Sequence, residues 1–303
     1  MKRAFFIVGP TATGKSEIAA EIAQRLDAEI VNADAFQIYR GLDLLTAKPD
    51  AATLAKAPHH LLGTVPLREE MNVEKFRAAA VESIRDIRAR GKHAIVAGGS
   101  GLYIKALTHG LSQLPEANCE LRGKLAQATV EELFARLRDL DPEGAERIDR
   151  RNKRRLVRAV EVCLLTGKPF SSQRTEWGNA PATTGVFVFR ERAELYERID
   201  RRVEKMFADG VIEEVRALPE ISSTAEKALG LREIRALLAG QITQAECIAK
   251  IQQGTRRYAK RQLTWFQRQD NFEPLNLSSH GFAEVIESIA QTPNALGSRQ
   301  MDD

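Results

Sequence analysis

Apolar residues along this chain follow two alternating patterns. Phe5 to Val8 is a short unbroken apolar block, the mark of a buried strand. It runs into Gly9, Pro10 and Gly14, and from Ser16 onward Ile18, Ala19, Ile22 and Ala23 recur at helical spacing, so the first unit reads strand, glycine-rich loop, helix. Ile30 to Ala33 reads as a second buried strand, ending at Asp34. Val73, Phe76, Ala80, Ile84 and Ile87 mark an amphipathic helix stopped by Gly91, and Ala94 to Ala97 is a third strand closed by Gly98 and Gly99. Strands alternating with helices predict an α/β fold, a parallel sheet flanked by helices.

A later strand, Val186 to Phe189, returns only after a stretch that carries helical patterns and no convincing strand. That gap predicts an all-helical domain at 115–179, inserted into a core made of 1–114 and 180–277. Thr243 with Glu246 forms a capping-box pattern that opens a long helix running through Tyr258 to about Phe266. Past Pro274 the pattern weakens, and 278–303 is expected to hold a C-terminal helix and a flexible polar tail. A chain of 303 residues is long enough for a main domain with a smaller one inserted.

Composition narrows the class. With 43% hydrophobic and 28% charged residues the chain has an ordinary globular balance, which excludes wholesale disorder. The opening MKRAFFIVGP is too short an apolar run for a signal peptide or a membrane span, so a cytoplasmic protein working without a membrane, as a monomer, is expected. Cys119, Cys163 and Cys247 are scattered and match neither zinc-ligand spacing nor a disulfide framework. Net charge is only +4, but locally dense arginine and lysine leave room for a polyanionic partner.

The strongest local chemistry is GPTATGKS, comprising Gly9, Pro10, Thr11, Ala12, Thr13, Gly14, Lys15 and Ser16, which satisfies GxxxxGK[ST] between a strand and a helix. Glycines let the backbone wrap a phosphate, N–H groups at the helix start bind its oxygens, Lys15 brings positive charge, and Ser16 can ligate magnesium. The loop does not specify the phosphate ester. A nucleoside triphosphate is its usual ligand, which keeps a small-molecule kinase in play.

Further segments carry a resemblance. DAFQIYRGL from Asp34, TAKP from Thr46, GGSGLYIKAL from Gly98, RRLVRAVEV from Arg154, LYERIDRRVEKMFADG from Leu195, IEEVRAL from Ile212 and TRRYAKRQLTWF from Thr255 occur in that order. Together with the loop they make the sequence resemble the tRNA dimethylallyltransferase family, almost continuously from Phe6 to Phe266. The resemblance implies that the loop holds the diphosphate of dimethylallyl diphosphate with Mg2+, and that Arg202 is a further diphosphate clamp. It implies that Asp34 is the general base toward the exocyclic amine of adenosine 37 of tRNA, with Ala35, Phe36, Gln37 and Ser100 near the extruded base. It also implies that Arg122 contacts RNA. A related possibility keeps the chemistry and changes the acceptor to a free adenine nucleotide; another is an RNA-binding protein without turnover.

A helix from Arg150 to Glu161 would align Arg151, Arg154, Arg155 and Arg158 on one face and Leu156, Val160 and Cys163 on the other. Such a basic stripe, with only Glu161 to balance it, favours RNA contact over a bland solvated face. Tyr258, Trp265 and Phe266, interleaved with basic residues, are expected to pack in the core. Three positions depart from the family's usual pattern. Ala35 stands where Ser is usual, Leu231 where Tyr is common, and HHLLGTV from His59 lacks an acidic residue.

Overall fold

The computed structural model describes residues 4–173 and 184–291. In chain order the elements begin β1 (Ala4–Val8), α1 (Lys15–Arg25), β2 (Ala28–Asn32), α2 (Ala51–Leu54), β3 (His59–His60), α3 (Val73–Ala89), β4 (His93–Gly98) and α4 (Gly101–His109). There follow α5 (Cys119–Gln127), α6 (Val130–Leu140), α7 (Pro142–Arg147), α8 (Lys153–Thr166) and α9 (Phe170–Gln173). The chain continues with β5 (Gly185–Phe189), α10 (Arg192–Ala208), α11 (Val211–Arg216), α12 (Leu231–Leu238), α13 (Gln244–Phe266), β6 (Glu273–Asn276) and α14 (Phe282–Ala290). Two compact units result: Met1–Thr108 together with Ala180–Asp303, and His109–Asn179.

In the first unit all six strands form one parallel sheet in the order β3-β2-β4-β1-β5-β6. Strand alternation splits the core by face. Phe5 and Ile7 pack with Ile18 and Ile22 of α1 and with Ile286 of α14, whereas Phe6 and Val8 pack with Phe76, Ile104, Leu231 and Phe266 on the other side. Helices on both faces are why β1, β2, β4 and β5 read as unbroken apolar runs. The edge strands have no such signature. β3 is only two histidines long, and β6 carries Glu273 and Pro274, a proline tolerated at a sheet edge because an outer strand need not donate on both sides. Leu231 is fully buried in this core.

The second unit is helical among its described residues and closes around Leu125, Leu133, Leu137, Leu156, Val160 and Cys163. Thr129 and Glu132 form a reciprocal capping box at the start of α6. The helix expected from Arg150 begins at Lys153, because the Asn152 side chain accepts the Arg155 N–H and caps it there. Arg151 therefore lies outside the helix and does not continue its basic face. Among the described residues no helix is long and apolar enough to cross a membrane.

Candidate active site

The adjacent strands β2, β4 and β1 end in the loops that carry Asp34, Ser100 and the glycine-rich segment, so the parallel sheet delivers all three to its carboxyl edge. A cavity of about 750 Å³ opens within this unit, with Thr11, Ala12, Gly14, Lys15, Ser16, Asp34, Gln37 and Arg202 in its lining.

The loop is shaped for an anion. Gly14 sits at the N-cap of α1 with a left-handed φ of 96° and no side-chain cap, which leaves the N–H groups of the first turn for a ligand. Inside the loop the Thr13 hydroxyl donates to the Pro10 carbonyl at 2.9 Å, and the Lys15 ammonium donates to the same oxygen at 3.0 Å. Ala12 is left-handed with φ 65°, unusual for a residue with a Cβ. Two guanidinium groups hold that conformation: Arg198 Nε donates to the Ala12 carbonyl and Arg190 Nε to the Thr13 carbonyl, both at 2.9 Å.

Two cations close on the cavity. Burial lowers the Lys15 pKa to about 8, with Asp34 opposing the shift and Arg202 adding to it. Burial likewise lowers Arg202 to about 10, again opposed by Asp34. Arg202 donates through Nη2 to the Thr11 hydroxyl at 2.7 Å, but its buried Nε has no hydrogen-bond partner. A buried guanidinium N–H left unpaired is costly, and a diphosphate oxygen is the partner that its charge and geometry suit.

The donor set also fits magnesium held chiefly by substrate. Ser16 and Asp34 bring hard oxygens to the cavity, while no group of three or more His, Cys, Asp or Glu among the described residues forms a protein cage. Magnesium commonly completes its shell with phosphate oxygens and water in such sites.

Asp34 is fixed by its own backbone surroundings, its Oδ1 accepting the N–H groups of Phe36 at 2.9 Å and Gln37 at 3.2 Å. Gln37 spends its side-chain N–H groups on the Thr46 and Ala47 carbonyls, each at 3.0 Å, leaving its carbonyl oxygen as the group for a ligand. Those carbonyls belong to a loop that Glu214 organises by accepting the N–H groups of Asp43, Leu44 and Leu45. Phe36 and Ala35 pack against the core. The Ala35 N–H donates to the Ser100 hydroxyl at 3.0 Å, so Ser100 is engaged in supporting the segment beside Asp34.

Tyr258, expected to pack, is largely buried near the site; burial pushes its pKa up, the nearby Asp34 adds to this, and the polar Ser100 opposes it. Phe266 does lie in the core, and Trp265 packs against it. Three contributors escape the sequence reading. Arg198 stands one helical turn before Arg202 on α10, a spacing that would have placed both on one face. Arg190 directly follows β5, the position at which a parallel sheet presents functional groups. Gln262, deep in α13, has no local signal at all.

The helical unit's arginines expected to meet RNA divide into two kinds. Arg154 and Arg155 are exposed on α8. Arg122 and Arg158 are instead drawn onto Glu161, whose residue exposure is 0%: Arg122 donates through Nε at 2.8 Å and Nη2 at 2.9 Å, and Arg158 through Nη1 at 2.6 Å. The expected four-arginine stripe is thus reduced to an outward pair beside an internally neutralised cluster. Burial alone would raise the Glu161 pKa, but the two guanidinium groups and the Asn118 N–H outweigh it and hold the carboxylate below its ordinary range.

With this geometry in place, comparison with known proteins is specific. The family model described as IPP transferase matches residues 37–269. A tRNA dimethylallyltransferase of Akkermansia muciniphila is 41% identical over 298 residues, covering 98% of each chain. A tRNA dimethylallyltransferase 1 of Citrifermentans bemidjiense is 46% identical, covering 93% of this chain and 94% of its own. The crystal structure of the full-length tRNA isopentenylpyrophosphate transferase of Bacillus halodurans superposes with a TM-score of 0.70 at 33% identity, covering 96% and 95% of the two chains. A eukaryotic dimethylallyltransferase, solved acting on tRNA, shares the fold with a TM-score of 0.78 at 24% identity, covering 92% of this chain and 74% of that one.

Proposed function

The chain belongs to the IPP transferase family, and from that premise we propose that it transfers a dimethylallyl group from dimethylallyl diphosphate to N6 of adenosine 37 in tRNA. The observation that carries this reading is the pairing, along one cavity, of a phosphate-type loop and the unpartnered Arg202 Nε with the carboxylate of Asp34. A donor with a diphosphate leaving group and an acceptor that must lose a proton account for both halves.

The chemistry follows from what each group can do. The amine nitrogen bonds to the allylic carbon as the carbon–oxygen bond breaks, and the bonding pair leaves with the diphosphate. Negative charge then grows on the leaving group, where Lys15, Arg202 and the N–H groups of residues 12–16 stabilise it more in the transition state than before. The attacking amine becomes acidic as its lone pair is used, and Asp34 takes its proton while Oδ1 stays anchored by Phe36 and Gln37. Leu44, Ala97 and Met206 supply apolar wall for the five-carbon group. Magnesium, when bound, would neutralise diphosphate charge, and Ser16 is the residue that would hold it. Reaching the site requires the adenosine to leave the anticodon-loop stack, and the Gln37 carbonyl oxygen is an acceptor for the extruded base. Residues 115–179 would serve as a tRNA-contacting domain, with Arg154 and Arg155 as its exposed cations, and 278–303 as a C-terminal appendage. A tRNA substrate also supports a cytoplasmic location.

The test uses purified protein with labelled dimethylallyl diphosphate, magnesium and unmodified tRNA. Label should enter the RNA, and Asp34→Asn should lose about 10²–10⁴-fold in rate with tRNA binding retained. Preferential labelling of AMP would point to a free-nucleotide acceptor, and ATP consumption without a prenyl donor to a kinase. Full turnover by Asp34→Asn would remove that residue from its role.

A further inference from the structure

Gln262 is 6% exposed and does not line the cavity. Its side chain nevertheless touches both halves of the site. Oε1 accepts the Thr11 N–H of the phosphate loop at 2.9 Å, and Nε2 donates to the Gly99 carbonyl, at the end of β4, at 2.8 Å. These two partners fix the amide orientation, since one offers only a donor and the other only an acceptor. The approach is close enough that a Cβ on Gly99 would sit 2.4 Å from Nε2.

The bridge continues to the acceptor side. Gly99 is followed by Ser100, whose hydroxyl accepts the Ala35 N–H, and Ala35 is the neighbour of Asp34. Gln262 on α13 therefore ties the phosphate loop to the end of β4, beyond which Ser100 supports the segment beside Asp34. Such spacing matters, because displacing reacting groups by about 1 Å costs about 100-fold in rate even when both substrates bind.

We propose that Gln262 is a positioning residue for prenyl transfer, setting the separation between the diphosphate loop and the Asp34 segment through its paired bonds to Thr11 and Gly99. This inference rests on the function proposed above. A neutral amide accepts and donates through one planar group at any pH, whereas a carboxyl group does so only when protonated, so each replacement alters the bridge in a defined way. Gln262→Met keeps volume and removes both bonds. Gln262→Glu keeps the acceptor for Thr11 and sets a carboxylate oxygen against the Gly99 carbonyl.

The experiment compares the wild-type chain with both variants in four measurements: thermal unfolding, tRNA binding, inhibition by inorganic pyrophosphate, and single-turnover transfer with both substrates saturating. Single-turnover rates should fall by about 100-fold for Gln262→Met and about tenfold for Gln262→Glu, while tRNA affinity and pyrophosphate inhibition stay within about threefold of wild type. A merely structural role would not separate rate from binding in this way. Wild-type rates in folded Gln262→Met would overturn the proposal. So would a rate loss matched by an equal loss of pyrophosphate affinity, which would make Gln262 part of donor binding alone, and so would failure of both variants to fold. A wild-type chain that labels no tRNA would overturn the function and this inference together, a pattern distinct from all of these.

Discussion

Lys15 carries the most exposed prediction at the scale of single residues. Its ammonium has a pKa lowered to about 8 by burial, so the free protein loses that charge in a range where an ordinary lysine keeps it. The value of kcat/KM for the diphosphate donor should therefore fall as pH rises through about 8, and the fall should vanish in Lys15→Arg, whatever that variant's rate. Stability has the opposite sign. Between about 8 and the ordinary lysine value of 10.5 the unfolded chain binds a proton at this lysine that the folded chain does not, so this residue's contribution rises with pH; urea melts across that range check it. Arg198 gives a second test. Its Nε bond to the Ala12 carbonyl holds a left-handed loop residue, and Arg198→Ala should lower kcat/KM for the donor by about tenfold with tRNA affinity unchanged. The loop itself was legible because its eight residues are consecutive. The groups that hold it were not, because Thr11 and Gln262 stand 251 residues apart and only the fold introduces them.

Elements were legible in proportion to how completely they are covered. β1, β2, β4 and β5 are sandwiched between helices and announce themselves as apolar runs, whereas β3 and β6, at the sheet edges, are short and polar and left no pattern to find. The capping box at Thr243 and Glu246 fixed the start of α13 correctly because it is a purely local device. On α8, periodicity identified the buried face but overstated the basic one, since spacing does not reveal that Glu161 lies buried between Arg122 and Arg158. Removing that carboxylate leaves two guanidinium groups without their partner. Glu161→Ala should destabilise the chain by about 2 kcal/mol, at the modest end for a buried ion cluster because both arginines are partly exposed. The contribution should be complete above the ordinary carboxylate range near pH 4.5 and should fade as pH falls through the lower pKa of the folded state, a trend that acid titration of unfolding would follow in wild type but not in Glu161→Ala.

At the scale of the molecule, a parallel sheet gathers the phosphate-type loop, Asp34 and the helix that links their surroundings at one edge, an arrangement that single motifs do not convey. A phosphate loop alone would have admitted a kinase. Asp34, the unpartnered Nε of Arg202 and family membership together favour alkyl transfer with departure of diphosphate. Ala35 and Leu231 differ from the family's usual residues without removing any of these groups: Ala35 supplies its N–H to Ser100, and Leu231 fills core. The most direct test is the chemical identity of what reaches tRNA. After incubation with dimethylallyl diphosphate and magnesium, nucleosides from the anticodon loop should show adenosine 37 gaining a five-carbon unit at N6, with one equivalent of diphosphate released. Release of phosphate from ATP with no alkylated adenosine would contradict the account.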